Sequence, residues 1–501
     1  MIGGLSKSTS LLALLAATGV VMGGMAVPSA KAADLGGDCC ADLEERVAEL
    51  EATTARKGNR KMSLTVYGHV NRSILYFNDG KRSNTFVGLD NHNSATRFGF
   101  TGNAKISPSL SAGYSILLDW GDKARTSTAT QTAEEGSART NPNQSDSRNG
   151  DGIARIRDAN VWLESKPVGR LTLGRITNSG QNGLIDLGGT QVGVGSDPGC
   201  TGGALKFRRN TNVLGPAMAD LAFGCGGPIG IRMEGIKYTS PAYMGFIFDA
   251  SIGESLKVKT STIDNPAGQV TNLGRVMGVN LKYAGEFSGV RVAAGVGAEW
   301  SKANEDDSKN FLTTDAVVPI GGSTACGGAG GGCPATNLSA ENFYWAAALS
   351  LMHVPSGLFA QGHYTKLTIK AQNSLTTGDF DPGKDAHRWD IQAGVAKNWF
   401  GFGNTVLYGE YGKHDNFKFA SDLYDCNAQG GGIGTPCTGL AAPSNVKGDE
   451  LKFWGIGIVQ NIDAAAMELY VSWRRFEAKD PNNAAALQDL DVVVSGARVK
   501  S

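Results

Sequence analysis

Charged side chains set in a glycine-rich stretch are the first chemistry this sequence offers. Between Ile176 and Val213 stand Asp186 and Asp197, then Lys206, Arg208 and Arg209, with few bulky apolar residues to bury a core around them. A segment carrying both signs of charge can attract and orient ions and dipolar solutes. Covalent chemistry finds less support. The six histidines, His69, His92, His353, His363, His387 and His414, have no GxSxG elbow beside them. Gly193-Val194-Gly195 lacks the strand-to-helix context of a phosphate-binding loop. Eight cysteines fit an oxidising compartment, and six fall into local couples: Cys200 with Cys225, Cys326 with Cys333, and Cys426 with Cys437. Zinc is the weaker reading, because no CxxC pair and no suitably spaced histidine accompanies them. Cys39 and Cys40 stand apart, and vicinal cysteines rarely bridge each other, so they are expected to link chains. No cofactor is implied.

The elements that must position these residues follow from composition and period. Glycine, at 69 of 501 residues, is well above its usual share of about 7%, which favours strands and turns. The mean hydropathy of −0.17 resembles that of a soluble protein, yet a membrane strand needs only every second residue apolar. Residues 1–32 read as a signal peptide, with Lys7, an apolar run from Leu11 to Val27, and the cleavage site Ala30-Lys31-Ala32. Losing Lys7 and Lys31 turns a net charge of zero into −2, which argues against nucleic acid as a partner. Residues 33–61 predict a short periplasmic helix, Leu43, Val47 and Leu50 having coiled-coil-like spacing, and then a linker.

From Met62 to the C-terminus the period becomes two. Met62, Leu64, Val66 and Val70 alternate with Ser63, Thr65, Tyr67, His69 and Asn71, and the same alternation recurs to Met467, Leu469, Val471 and Trp473. Short links (SPS after Ile106, KPVG after Ser165, VPSG after His353, the Phe400-Gly401-Phe402 region) alternate with long ones. The long ones are expected at Asn78–Ser94, Gly121–Gly152, Gly180–Gly227, Ser255–Thr271, Ser301–Ser339, Lys370–His387, Asp415–Gly448 and Lys479–Gln488. That rhythm predicts an all-β, transmembrane antiparallel barrel of about sixteen strands over 62–501, with both termini on the short-turn side. Trp120, Tyr243, Trp300, Trp345, Trp399 and Trp473 are expected near strand ends, as interfacial girdles.

In this order, the acidic helix after Asp38-Cys39-Cys40, the first strand LTVYGHVNRSILYFNDG, SATRFGFTG and the hairpin RDANVWLESKPVGRLTLGR resemble alphaproteobacterial-type general porins. The resemblance implies a trimeric outer-membrane channel for passive diffusion of small hydrophilic solutes and ions. It also implies a loop after strand five that folds inward and narrows the pore. The constriction set it implies is Arg97 and Arg175 on the wall against Asp186 and Asp197 on the loop, with Arg208 and Arg209 following. Arg97 shares parity with Thr101 and Asn103 and should face the lumen. Arg175 shares parity with Leu171 and Leu173, so it needs a bulge to turn inward. The chain departs from the enteric pattern by having Leu184-Ile185-Asp186-Leu187-Gly188-Gly189 in place of Pro-Glu-Phe-Gly-Gly, and by ending on Lys500-Ser501 in place of an aromatic residue. A substrate-selective channel, a barrel enzyme and a surface adhesin are the alternatives.

Overall fold

The computed structural model describes residues 62–120, 125–131, 154–180, 183–193, 198–222, 232–255, 258–260, 269–271, 275–302, 338–373, 379–380, 385–416, 448–480 and 485–501. Sixteen antiparallel strands close on themselves. In chain order they are β1 (Ser63–Asn78), β2 in two pieces (Ser83–Asp90 and Arg97–Lys105), β3 (Leu110–Trp120), β4 (Ala154–Ser165), β5 (Gly169–Thr177) and β6 (Arg232–Thr239). There follow β7 (Phe246–Ser255), β8 (Arg275–Phe287), β9 (Val290–Lys302), β10 (Leu338–His353) and β11 (Leu358–Asn373). The last five are β12 (Ala386–Lys397), β13 (Thr405–Asp415), β14 (Glu450–Ile462), β15 (Met467–Lys479) and β16 (Leu490–Lys500). Each pairs with the next, and β16 returns to β1 from Asn78↔Asp491 to His69↔Lys500, so the sheet has no free edge. The first and last strands meet at the short-turn end, where the Ser501 N–H donates to the Gly68 carbonyl.

Every predicted short link is a turn, but the first expected long loop is not a loop. Asn78–Ser94 is a tight turn followed by the upper piece of β2, which pairs with β1 from Asn78↔Ser83 to Arg72↔Asp90. Local chemistry makes the reversal: Asp79 Oδ1 accepts the N–H groups of Lys81 and Arg82, and Gly80 takes a φ of 88°. Residues 91–96 then leave the sheet in a short 3-10 turn before the lower piece of β2 resumes pairing with β1. The helix expected within 33–61, the signal peptide, and Cys39 and Cys40 lie outside the described residues.

Leu64, Val66, Val70, Leu171, Leu173, Ile236, Ile252, Met277 and Leu281 are exposed, while Asn71, Ser73, Asp249, Ser251, Asn280, Gln361 and Gln392 are buried. Apolar residues therefore face outward and polar ones inward, the arrangement of a barrel in lipid and the inverse of a soluble sandwich. Exposed aromatics gather towards the two ends: Tyr243, Phe246, Phe287, Trp399, Phe400 and Phe402 towards the short turns, and Trp300, Tyr411 and Trp454 towards the long loops. Trp345 and Trp473 stand further from the strand ends than expected, packed on Tyr364 and Trp454.

One sector breaks the alternation. Leu75 and Phe77 of β1, Phe86 of β2, Phe453 of β14, Phe476 of β15, and Val492 and Val494 of β16 are buried apolar residues pointing inward. They pack on Val192, Leu205, Phe207, Met218 and Leu221 of the segment between β5 and β6. The barrel thus has a hydrophobic core of its own on one side, built around that segment.

Candidate functional site

The described residues between Asn178 and Ala222 enter the barrel. They carry two single-turn helices, α1 (Pro198–Gly202) and α2 (Met218–Leu221), and a small hairpin pairing Lys206–Arg208 with Leu214–Ala217. Their anchors travel round the inner wall in order. The Ser179 N–H donates to Ser251 Oγ on β7 at 2.8 Å, and Asn280 Nδ2 of β8 donates to the Ser179 carbonyl at 3.0 Å. Ile185 packs on Ala293 and Ala348 of β9 and β10. The Gly188 N–H reaches Gln361 Oε1 on β11, and Thr190 Oγ1 reaches Gln392 Oε1 on β12 at 2.6 Å. Ser472 Oγ of β15 donates to the Gly193 carbonyl, and Arg474 Nη1 donates to Thr201 Oγ1. A side chain at Gly188 would strike the Phe359 ring, and Gly189 has a φ of 80°, so glycine is required where the segment turns against β11.

Asp186 is the hub of that turn. Its Oδ1 accepts the N–H groups of Gly189 (2.8 Å) and Thr190 (3.0 Å) and Nε2 of Gln361 (3.0 Å), and its Oδ2 accepts the N–H of Gln191 (2.7 Å). Both oxygens are thus committed to the loop and to β11. Asp197 lies outside the described residues. Arg208 forms a two-point ion pair with Asp79, and Arg209 pairs with Asp480 at 3.3 Å, tying the loop to the turn after β1 and to the end of β15. Cys200 is buried in α1. Cys225, Cys326, Cys333, Cys426 and Cys437 lie outside the described residues.

The wall from β2 to β8 carries a file of ion pairs. Arg97 and Arg157 share Asp119, at 3.5 and 2.8 Å. Arg232 pairs with Asp158 at 3.0 Å, and Lys282 with Asp249 at 2.6 Å. Lys237 stands on the same row of β6 as Thr239, whose hydroxyl also holds Asp249. Arg97 therefore faces inward as its parity predicts. Arg175 does not gain the bulge it needs: β5 pairs without a register shift on either side, which sets Arg175 between Ala159 and Glu234 on the row of Leu171 and Leu173. The bulge is in β4. Leu117 pairs with Asp158 and Leu118 with Ile156, leaving Arg157 as the extra residue. The consecutive Arg157 and Asp158 both turn into the lumen as a result. A strict period of two places Arg157 with Val161 and Leu163 on the outer face, so no sequence signal separates it from a lipid-side residue. Arg232, Lys237 and Lys282 follow parity or strand-end position and were legible only once the strands were fixed.

A second polar cluster lies on β11 and β12. His363 Nδ1 is 2.7 Å from Asp390 Oδ1, and Thr365 Oγ1 is 2.8 Å from His363 Nε2. The residue types match a hydroxyl–imidazole–carboxylate relay, but Thr365 is only 2% exposed, so the hydroxyl cannot meet a substrate. Among the described residues no cluster of His, Cys, Asp or Glu is suited to a metal ion.

A family model described as Gram-negative porin matches residues 16–480. Among solved structures the chain is similar to the outer membrane channel DcaP of Acinetobacter baumannii, with 12% identity over 89% of this chain and 99% of that one and a TM-score of 0.45. It is similar to Salmonella typhi OmpF in complex with daunomycin, with 13% identity over 88% and 98% and a TM-score of 0.44. In-vitro folded OmpT, an outer membrane protein of Vibrio cholerae, gives 11% identity over 89% and 99% and a TM-score of 0.41. No curated protein sequence matches.

Proposed function

Because the chain belongs to the Gram-negative porin family, we propose that it is an outer-membrane channel for passive diffusion of small hydrophilic solutes and ions. The observation that carries this reading is the inserted loop. It is fixed to β7–β15 and to the turn after β1, while the charged file on β2–β8 keeps water contact. A lumen narrowed from one side and lined with ionised groups on the other suits rapid transit without tight binding. The constriction is proposed at Arg97, Arg157 and Arg232 facing the loop.

Export through a cleaved signal and assembly as a homotrimer complete the proposal. The distribution of tryptophan supports the trimer: Trp300, Trp345, Trp389, Trp454 and Trp473 all lie on β9–β15. Among the described side chains, the outer face of β1–β5 carries none; Trp162 is turned inward beneath Arg170. Tryptophan marks contact with the lipid interface, so the sector without it is the proposed subunit face. The loop disulfides are proposed as Cys200–Cys225, Cys326–Cys333 and Cys426–Cys437. Purified mature protein in a planar bilayer tests the function: stepwise, ohmic conductance is expected, and a silent, correctly folded barrel would refute it.

A further inference from the structure

We propose that the channel prefers anions, and that Arg97, Arg157, Arg232, Lys237 and Lys282 form the track along which small anions such as carboxylates and phosphate pass. The inference rests on the diffusion-channel reading and adds a sign to it.

The charges do not balance across the passage. On the β2–β8 wall five cations share three carboxylates: Asp119 serves both Arg97 and Arg157, Asp158 serves Arg232, and Asp249 serves Lys282 with Lys237 beside it. Two positive charges are left over. These groups are not sealed off. The side chains of Arg97, Arg157, Arg232 and Lys282 keep 19, 25, 14 and 16% of their surface.

Among the described residues, the opposing side supplies less negative charge than the wall leaves over. Asp186 accepts backbone N–H groups and Gln361 Nε2, which hold it ionised, so the loop returns one of the two charges. Glu299, on the neighbouring β9, is fully buried against the loop at Gly180. The excess therefore acts on the solute path. It is also spread along that path, because Lys237 and Lys282 lie further towards the short-turn end than Arg232. Successive weak sites let an ion enter and still leave.

Reversal potentials of the wild-type channel under a KCl gradient at low salt read the sign directly. Chloride should permeate faster than potassium. Lys237→Gln and Lys282→Gln should each lower the chloride-to-potassium ratio roughly fivefold at low salt, because one unit charge at about 8 Å in water shifts the two ions by about 0.5 kcal/mol each in opposite directions. Raising the salt should shrink that difference, since the Debye length is about 10 Å at 0.1 M. Lys479→Gln, on the outer face beside Glu450, should leave the ratio alone. A conducting wild-type channel that favours potassium overturns the inference without touching the channel reading, and so do conducting lysine variants with an unchanged ratio. Absence of any conductance would instead remove the channel reading and the inference with it.

Discussion

Arg208 on the inserted loop holds Asp79 in the turn between β1 and β2 by two bonds, Nη2 to Oδ2 at 2.7 Å and Nε to Oδ1 at 3.1 Å. Burial alone would raise the Asp79 pKa. Arg208 and the N–H groups of Arg82 and Lys81 outweigh it and hold the carboxyl below its ordinary 3.8. A lowered folded pKa means that the clamp contributes fully above the unfolded value and is lost as pH falls through the folded one. The loop should therefore resist protease at neutral pH and open only below about pH 4. Asp79→Asn should open it at neutral pH, because a buried arginine left without its carboxylate costs about 3 kcal/mol. Limited proteolysis across pH checks both. Equal resistance of the variant and the wild type at pH 7 would count against the clamp.

Glu410 of β13 and Arg474 of β15 form the most deeply buried ion pair described, with Arg474 also donating to Thr201 on α1. Arg474→Ala should lower stability by about 3–5 kcal/mol, since it strands the Glu410 carboxylate. The double change Arg474→Met with Glu410→Leu should recover most of that loss, because an apolar pair of similar volume replaces the ions without an unpaired charge. The temperature at which the folded barrel loses its fast gel mobility measures the difference. A double variant no better than the single one would place the stabilisation elsewhere.

These anchors mark where the sequence was readable. Strand number, the short turns and the outward row survive from sequence to structure because a period of two and Gly/Pro turn chemistry are local properties. The inward apolar residues Leu75, Phe77, Phe453 and Phe476 were not separable from lipid-facing ones. They are buried by a loop more than a hundred residues away in sequence from most of them, and nothing local reports that. Asn78–Ser94 reads as loop for a related reason: a four-residue turn opens it, and the strand that follows is broken at 91–96. Arg157 was hidden by a single inserted residue that reverses parity. Asp186 was found, but a carboxylate that faces the lumen and one that caps its own turn have the same sequence.

Asp186→Ala separates those two roles. As a free constriction charge, Asp186 would shift ion preference strongly when removed and leave the pore steady. As the cap of its own turn, it should do the reverse. Three backbone N–H groups lose their acceptor and Gln361 loses one of its contacts, so the Gly188–Gln191 turn loosens from β11 and the loop fluctuates. Single-channel records should show larger, noisier openings, with no more than the modest shift towards anions that the loss of one charge brings. Steady openings with a large selectivity shift would return Asp186 to the lumen.

The subunit face is testable by adding bulk that lipid accepts and a protein contact does not. Val66 is 61% exposed on the outer face of β1, beside Phe100 of β2, in the sector without outward tryptophan. Leu349 is 47% exposed on β10, on the outward row of Trp345 and outside the proposed face. A tryptophan at either site is welcome near a membrane interface, so neither change should unfold a monomeric barrel. Within a close-packed contact, the larger side chain forces the partners apart at a cost of about 1–3 kcal/mol. Val66→Trp should therefore lower the temperature at which trimers dissociate in mild detergent while the monomer stays folded, and Leu349→Trp should not. Trimers equally stable in both variants would move the contact away from β1, and a protein that is monomeric before either change would remove the trimer altogether.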